Sequence, residues 1–219
     1  MIESGMKLSL DRRHFISTGL LCAATGLSRA ATPTPRVILV LGDSLSAEYG
    51  LKRGTGWVAL LEQRLRAENM AATVINASIS GETTAGGRSR LKSLLSQYRP
   101  KVVIIELGAN DALRGLSLQA TQANLDEMTQ TVRQAGARSL LLGMRLPPNY
   151  GQDYGARFAA LFGQVARSNK TALVPFLLEG VADVPESGSM FQSDRIHPRE
   201  AAQPIMLANV WPELRKLLK

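Results

Sequence analysis

Three short apolar runs, Val37 to Leu41, Val102 to Leu107 and Leu140 to Met144, constrain the fold of this chain more than any other feature of it. A strand with one face in water alternates apolar and polar residues. A run without alternation belongs to a strand covered on both faces, which is the condition inside a parallel sheet. Thr73 to Ile75 and Ala172 to Val174 read as two shorter strands. Between these runs, apolar residues recur at helical spacing: Trp57, Leu60, Leu61 and Leu65; then Leu91, Leu94, Leu95 and Tyr98, stopped by Pro100. The same spacing returns in Leu118, Leu125, Met128 and Val132, ended near Gly136, and in Phe158, Leu161, Phe162 and Val165. Arg199 to Leu218 reads as a closing helix bent by Pro204 and Pro212. Strand and helix alternating five times predict an α/β sandwich around a parallel sheet with right-handed crossovers. In such sheets ligands bind beyond the carboxyl ends of the strands, so the loops after the strands are where chemistry is expected.

Before the first strand, residues 6–30 run from a charged start through an apolar stretch, Phe15 to Leu27, to Ser28 and Ala30, a small-x-small cleavage site. The apolar stretch falls short of the roughly 20 residues that span a bilayer. Arg12 and Arg13, followed after one residue by Phe15 and Ile16, resemble a twin-arginine export signal; an ordinary secretory signal with a chance arginine pair predicts export equally. The expected organisation is therefore an export signal over 1–30, with Met6 a candidate true start, a proline-spaced linker over 31–35, and one domain over 36–219 in the periplasm or outside the cell. Cys22 is the single cysteine and Leu21 before it argues against lipidation. Cleavage after Ala30 leaves no cysteine, which excludes disulfides, thiol catalysis and cysteine-bound metal.

The formal charge is +8, of which the first thirty residues carry +2 through Lys7, Arg12, Arg13 and Arg29 against Glu3 and Asp11. The cations are scattered and lack interleaved aromatics, so nucleic acid is not an expected partner. A solvated basic surface is the reading preferred, with at most transient contact with a membrane surface.

The first strand ends in Gly42-Asp43-Ser44-Leu45-Ser46. A serine on a tight turn at the sheet's carboxyl edge exposes its hydroxyl, which becomes nucleophilic once a base takes its proton. His14 lies in the export signal, so His197 is the one histidine left for that task. Asp194 lies three residues before it, where one turn can bring its carboxylate onto the other ring nitrogen. Acyl transfer also needs oxyanion donors, and three loops offer them: the Ser44 N–H, Gly81 after the second strand, and Asn110 after the third.

These blocks, GDSLS, ASISGETT, LGANDALRG and DRIHP, resemble in identity and order the SGNH, or GDSL-type, hydrolase family, especially its small periplasmic lysophospholipase, thioesterase and arylesterase branch. The resemblance runs from about Val37 to about Leu214. It implies a three-layer α/β/α sandwich with a five-stranded sheet of order 2-1-3-4-5, Ser44 as nucleophile, His197 and Asp194 as base and acid, and Ser44, Gly81 and Asn110 as the oxyanion hole. Ala109 and Ala112 stand where the family commonly has glycine, which bears on the flexibility of the loop Asp111 to Gly115.

Around these residues, Asp43 reads as a turn former, Ser46 as a helix cap, Glu106 as a paired buried acid and Asp111 as a loop shaper. Arg114 reads either as a channel border or as a plain surface arginine. Leu113, Leu146, Pro147, Tyr150 and Phe191 are the expected substrate contacts, with Leu116, Pro148 and Met190 as further candidates for an apolar acyl pocket. The expected activity is hydrolysis of aryl, short or medium acyl, or lysophospholipid esters, and of thioesters, by a monomer without metal or cofactor. Export argues against cytoplasmic acyl-coenzyme A as the substrate. A carbohydrate O-acetylesterase and a non-catalytic binding protein are the alternatives.

Overall fold

The computed structural model describes residues 1–2, 36–185 and 187–219. The expected export signal from Glu3 onwards, its expected cleavage site, Cys22 and the expected linker lie outside the described residues. From Arg36 onwards the chain forms β1 (Arg36–Gly42), α1 (Trp57–Ala67), β2 (Ala72–Asn76), α2 (Thr84–Tyr98), β3 (Val102–Glu106) and α3 (Ala109–Leu113). It continues with α4 (Leu118–Gln134), β4 (Arg138–Leu142), α5 (Gln152–Asn169), β5 (Ala172–Val174) and α6 (Gln203–Leu217). All strands pair in parallel in the order β2-β1-β3-β4-β5, as the family resemblance implies.

The unalternating runs are where burial is complete. Ile38 to Leu41 in β1 and Val102 to Ile105 in β3 are shielded from solvent on both faces; β3 is the central strand of the sheet and β1 lies beside it. Helices α1 and α6 pack together on one side, while α2, α4 and α5 pack in a row on the other. Among the described residues the buried core runs from Ile38 to Leu218.

Two local expectations are corrected. Residues 109–113, read as loop, form the short helix α3; alanine is the best helix former, and Ala112 is buried beneath it. The terminal segment opens with a 3-10 turn over Glu200–Ala202, and Pro204 falls in the first turn of α6, where a missing N–H costs nothing. Only Pro212 lies inside that helix.

Candidate active site

The nucleophile candidate is set by what surrounds Asp43. Its backbone carbonyl accepts from the N–H groups of Ser46 at 3.2 Å and Ala47 at 3.0 Å, and its Oδ1 accepts from the Leu45 N–H at 3.0 Å. The chain therefore turns at once after β1 and leaves Ser44 at the carboxyl end of that inner strand. Gly42 is required by close approach: a Cβ there would stand 2.8 Å from both Glu106 Oε2 and Ser46 Oγ. Ser46 does not cap a helix, because α1 begins only at Trp57. Its buried hydroxyl instead donates to Glu106 Oε2 at 2.8 Å, which answers the need of a buried carboxyl for donors.

The base candidate comes from a loop folded back on itself after β5. Phe191 and Pro198 form an antiparallel bridge, and the Gln192 N–H donates to the His197 carbonyl at 2.8 Å. At the tip, Arg195 takes a left-handed φ of 58°. Asp194 Oδ1 accepts the backbone N–H of Ile196 at 2.9 Å and of His197 at 3.0 Å. Its Oδ2 lies 2.7 Å from His197 Nδ1, and His197 Nε2 lies 2.9 Å from Ser44 Oγ. The Tyr49 ring packs against the imidazole with centroids 4.3 Å apart. Slight burial pushes the Asp194 carboxyl up, but the His197 backbone N–H, the His197 ring and the Ile196 N–H together hold it at about 2. An ionised Asp194 fixes the proton on Nδ1 and leaves Nε2 as the acceptor facing Ser44.

Two buried acids lie beneath Ser44. Glu106 Oε2 accepts from the Asp43 N–H at 3.2 Å, and Asp43 Oδ2 accepts from Asn110 Nδ2 at 3.0 Å. Burial raises Asp43 to about 6 against the pull of the Leu45 N–H, Glu106 and Asn110. Burial, and then the Asp43 charge, push Glu106 well above the ordinary carboxylate range. Burial thus favours the protonated form of both acids, and the nearness of the two opposes their ionising together. Asp43 uses one amide hydrogen of Asn110 and leaves the second for another acceptor. The N–H groups of Ser44 and Gly81 have no acceptor among the described residues. Gly81 sits at φ +80°, and its carbonyl accepts from Arg114 Nη2 at 2.8 Å, so Arg114 is a surface brace of that loop. Asp111 is buried and accepts from the Thr84 N–H at 2.9 Å and the Thr84 hydroxyl at 2.5 Å, tying α3 to the start of α2.

A cavity of about 740 Å³ opens beside Ser44, Asn110 and His197. Its volume falls in the range of roughly 300–1,000 Å³ usual for small-molecule sites. Leu113, Leu146, Pro147, Pro148 and Phe191 line it. Gly81, Leu116, Tyr150 and Met190 are not among the lining residues; Tyr150 sits in a 3-10 turn, Pro148–Tyr150, exposed to solvent. Sequence reasoning missed the opposite wall, Met144, Phe176, Leu178 and Ala182. The last three follow a strand of three residues in a segment without periodicity, so no pattern marked them. Among the described residues no group of three or more His, Cys, Asp or Glu side chains is placed to hold a metal ion.

Comparison with known proteins follows the same lines. The pattern of the GDSL-like Lipase/Acylhydrolase family matches residues 40–204. Esterase TesA of Pseudomonas aeruginosa is 50% identical over 206 residues, covering 94% of this chain and 100% of that protein. Thioesterase 1/protease 1/lysophospholipase L1 of Escherichia coli strain K12 is 40% identical over 83% of this chain and 84% of its own length. A crystal structure of TesA superposes with a TM-score of 0.80 at 53% identity, covering 83% of this chain and 99% of that one.

Proposed function

The chain belongs to the GDSL-like lipase/acylhydrolase family and is a serine esterase, and from that premise we propose that Ser44 is its nucleophile, His197 its general base and Asp194 the acid that orients the base. The observation that carries the assignment is the unbroken chain from Asp194 Oδ2 through the imidazole to Ser44 Oγ, with contacts of 2.7 and 2.9 Å. His197 Nε2 takes the Ser44 proton as Oγ attacks the ester carbonyl. The oxyanion is met by the N–H groups of Ser44 and Gly81 and by the free amide hydrogen of Asn110. The alcohol leaves with the proton from Nε2, and water activated by the same nitrogen releases the acid.

The apolar cavity and the names of the relatives support aryl, short or medium acyl and lysophospholipid esters as substrates, with thioesters within reach of the same chemistry. Leu113, Leu146, Pro147 and Phe191 are the acyl contacts in this reading. The enzyme works as a monomer, without nucleic acid, in the periplasm or outside the cell after removal of residues 1–30. The charged, apolar and small-residue order of that segment supports this, and its arginine pair favours the twin-arginine route. The test is hydrolysis of p-nitrophenyl esters from acetate to palmitate by the wild type beside Ser44→Ala. Turnover that survives in the variant rejects the assignment of Ser44. The best chain length sizes the pocket.

A further inference from the structure

The amide of Asn110 has two ends that are alike in shape and opposite in chemistry. Its nitrogen carries two donors, whereas its oxygen only accepts. Turned one way, it meets an oxyanion with an N–H. Turned the other way, it presents a carbonyl oxygen that repels the developing charge. Asn110 is half-buried at the cavity. Among the described residues, the bond from its Nδ2 to Asp43 Oδ2 at 3.0 Å is the one hydrogen bond its side chain makes. What Asp43 offers at that oxygen therefore decides which end of the amide faces the substrate.

Asp43 offers acceptors there. Its Oδ1 accepts from the Leu45 N–H at 3.0 Å and its Oδ2 from Asn110. A proton on Oδ2 would reverse the second contact, because a carboxylic O–H donates and would seek the amide oxygen. Asp43 is buried, and burial favours that proton. Glu106, buried beside it, counters the tendency. Its Oε2 accepts the Asp43 N–H at 3.2 Å and the Ser46 hydroxyl at 2.8 Å, which leaves Oε1 as the oxygen able to carry a proton. The two carboxyl groups also bond to each other, and they can do so only through a proton on one of them. Burial raises both acids; after it, the Leu45 N–H, Glu106 and Asn110 lower Asp43, whereas the Asp43 charge raises Glu106. Both directions put the proton on Glu106.

We propose that Asp43 and Glu106 form one positioning unit for the oxyanion hole: Glu106 carries the single proton of the pair, Asp43 stays an acceptor at both oxygens, and the amide nitrogen of Asn110 is thereby aimed at the substrate. One charge beneath the forming oxyanion also opposes it less than two ionised acids would. The unit serves the reaction proposed for Ser44 and rests on that reading.

The test is steady-state hydrolysis of p-nitrophenyl butyrate by the full chain and its variants, arranged as a double-mutant cycle. Asp43→Asn keeps the size of the side chain and removes its acceptor-only character. Its kcat should fall about 10²-fold with KM within about threefold, because the oxyanion forms only in the transition state. Glu106→Leu should lower kcat about tenfold or more, and Glu106→Gln, which can still donate to Asp43, should recover most of that loss. In an Asn110→Ala background Asp43→Asn should cost no more than about threefold, since the group it aims is gone. Losses that multiply across the two sites, a raised KM without a fall in kcat, or an Asp43→Asn variant with wild-type kcat overturns the proposal. A Glu106→Gln variant as impaired as Glu106→Leu does so too. If Glu106→Leu does not fold, the cycle still decides, and a Glu106→Gln kcat below about a tenth of the wild type overturns the part given to Glu106. Ser44→Ala, assayed alongside, separates the two readings. Turnover that survives in it rejects Ser44 and the positioning unit together. Turnover lost in it, with multiplying losses at Asp43 and Asn110, rejects the positioning unit alone.

Discussion

Ser44 stands on the turn that directly follows the inner strand β1, whereas His197 stands on a long loop after the edge strand β5, and the two are held in unlike ways. Beneath Ser44, Asp43, Ser46 and Glu106 are at most 2% exposed and bond to one another and to the turn. Around His197 the side chains are open, 18% exposed for the imidazole and 38% for Asp194. Their geometry rests on two backbone N–H groups, one β-bridge and one left-handed residue. The nucleophile half gains precision from burial and takes on two acids at a cost in desolvation. The acid-base half keeps its charge stabilised by local hydrogen bonds alone, at an edge that substrate must enter.

The largest expected effect breaks both halves at once. Ser44→Ala should lower kcat on p-nitrophenyl esters by about 10⁴–10⁶-fold in steady-state assays, with the fold intact by circular dichroism. Asp194→Asn attacks the open half. It removes the charge that keeps the proton on Nδ1, and kcat should fall by up to about 10⁴-fold at neutral pH. Asn110→Ala attacks the buried half, and loss of one oxyanion donor should lower kcat by about 10²–10³-fold with little change in KM.

The smallest effect sharpens the comparison, because the two halves respond to pH in opposite senses. Asp43 and Glu106 have folded pKa values above their unfolded ones, so their contribution to stability is fully present below about pH 4 and is lost as pH rises, through about 6 for Asp43 and through the raised folded pKa of Glu106. Asp194 is held at about 2, so its contribution is present above about pH 4 and is lost as pH falls towards 2. Glu106→Gln reproduces the protonated acid. It should flatten the fall of Tm between about pH 5 and 8, leaving the variant a few °C more stable than the wild type at the alkaline end. A parallel fall in both proteins would show that Glu106 is not the titrating group.

The two halves also differ in how far they can be read in advance. Buried runs announced the strands, and the short β5 appears where three residues, Ala172 to Val174, predicted it. β4 was displaced: Leu140 to Met144 was expected and Arg138–Leu142 is found. Gly143 has already left the strand, its N–H bonded to the Val174 carbonyl and its Cα close against Pro175. The helix α3 was hidden because five residues cannot display a period of 3.6. Asp194 and His197 could be matched by spacing, since a three-residue separation is a local property. The role of Ser46 could not, because its partner Glu106 lies 60 residues away. Tyr150 and Leu116 were expected near the substrate because their loops reach the site, but a loop's position does not determine which way its side chains turn.

The Arg36 guanidinium donates to the Leu218 carbonyl, joining the start of β1 to the last helix at the pole remote from the chemistry. First and last residues of the domain are thus neighbours, and chain order is separable from architecture. A circular permutant that links these ends and opens at Gly136, a turn residue where an added Cβ would meet no atom within 4 Å, should keep the sheet order and the triad. For the same reason a covalent tether at Lys219 would immobilise the enzyme with its five strand-end loops facing outward into solution.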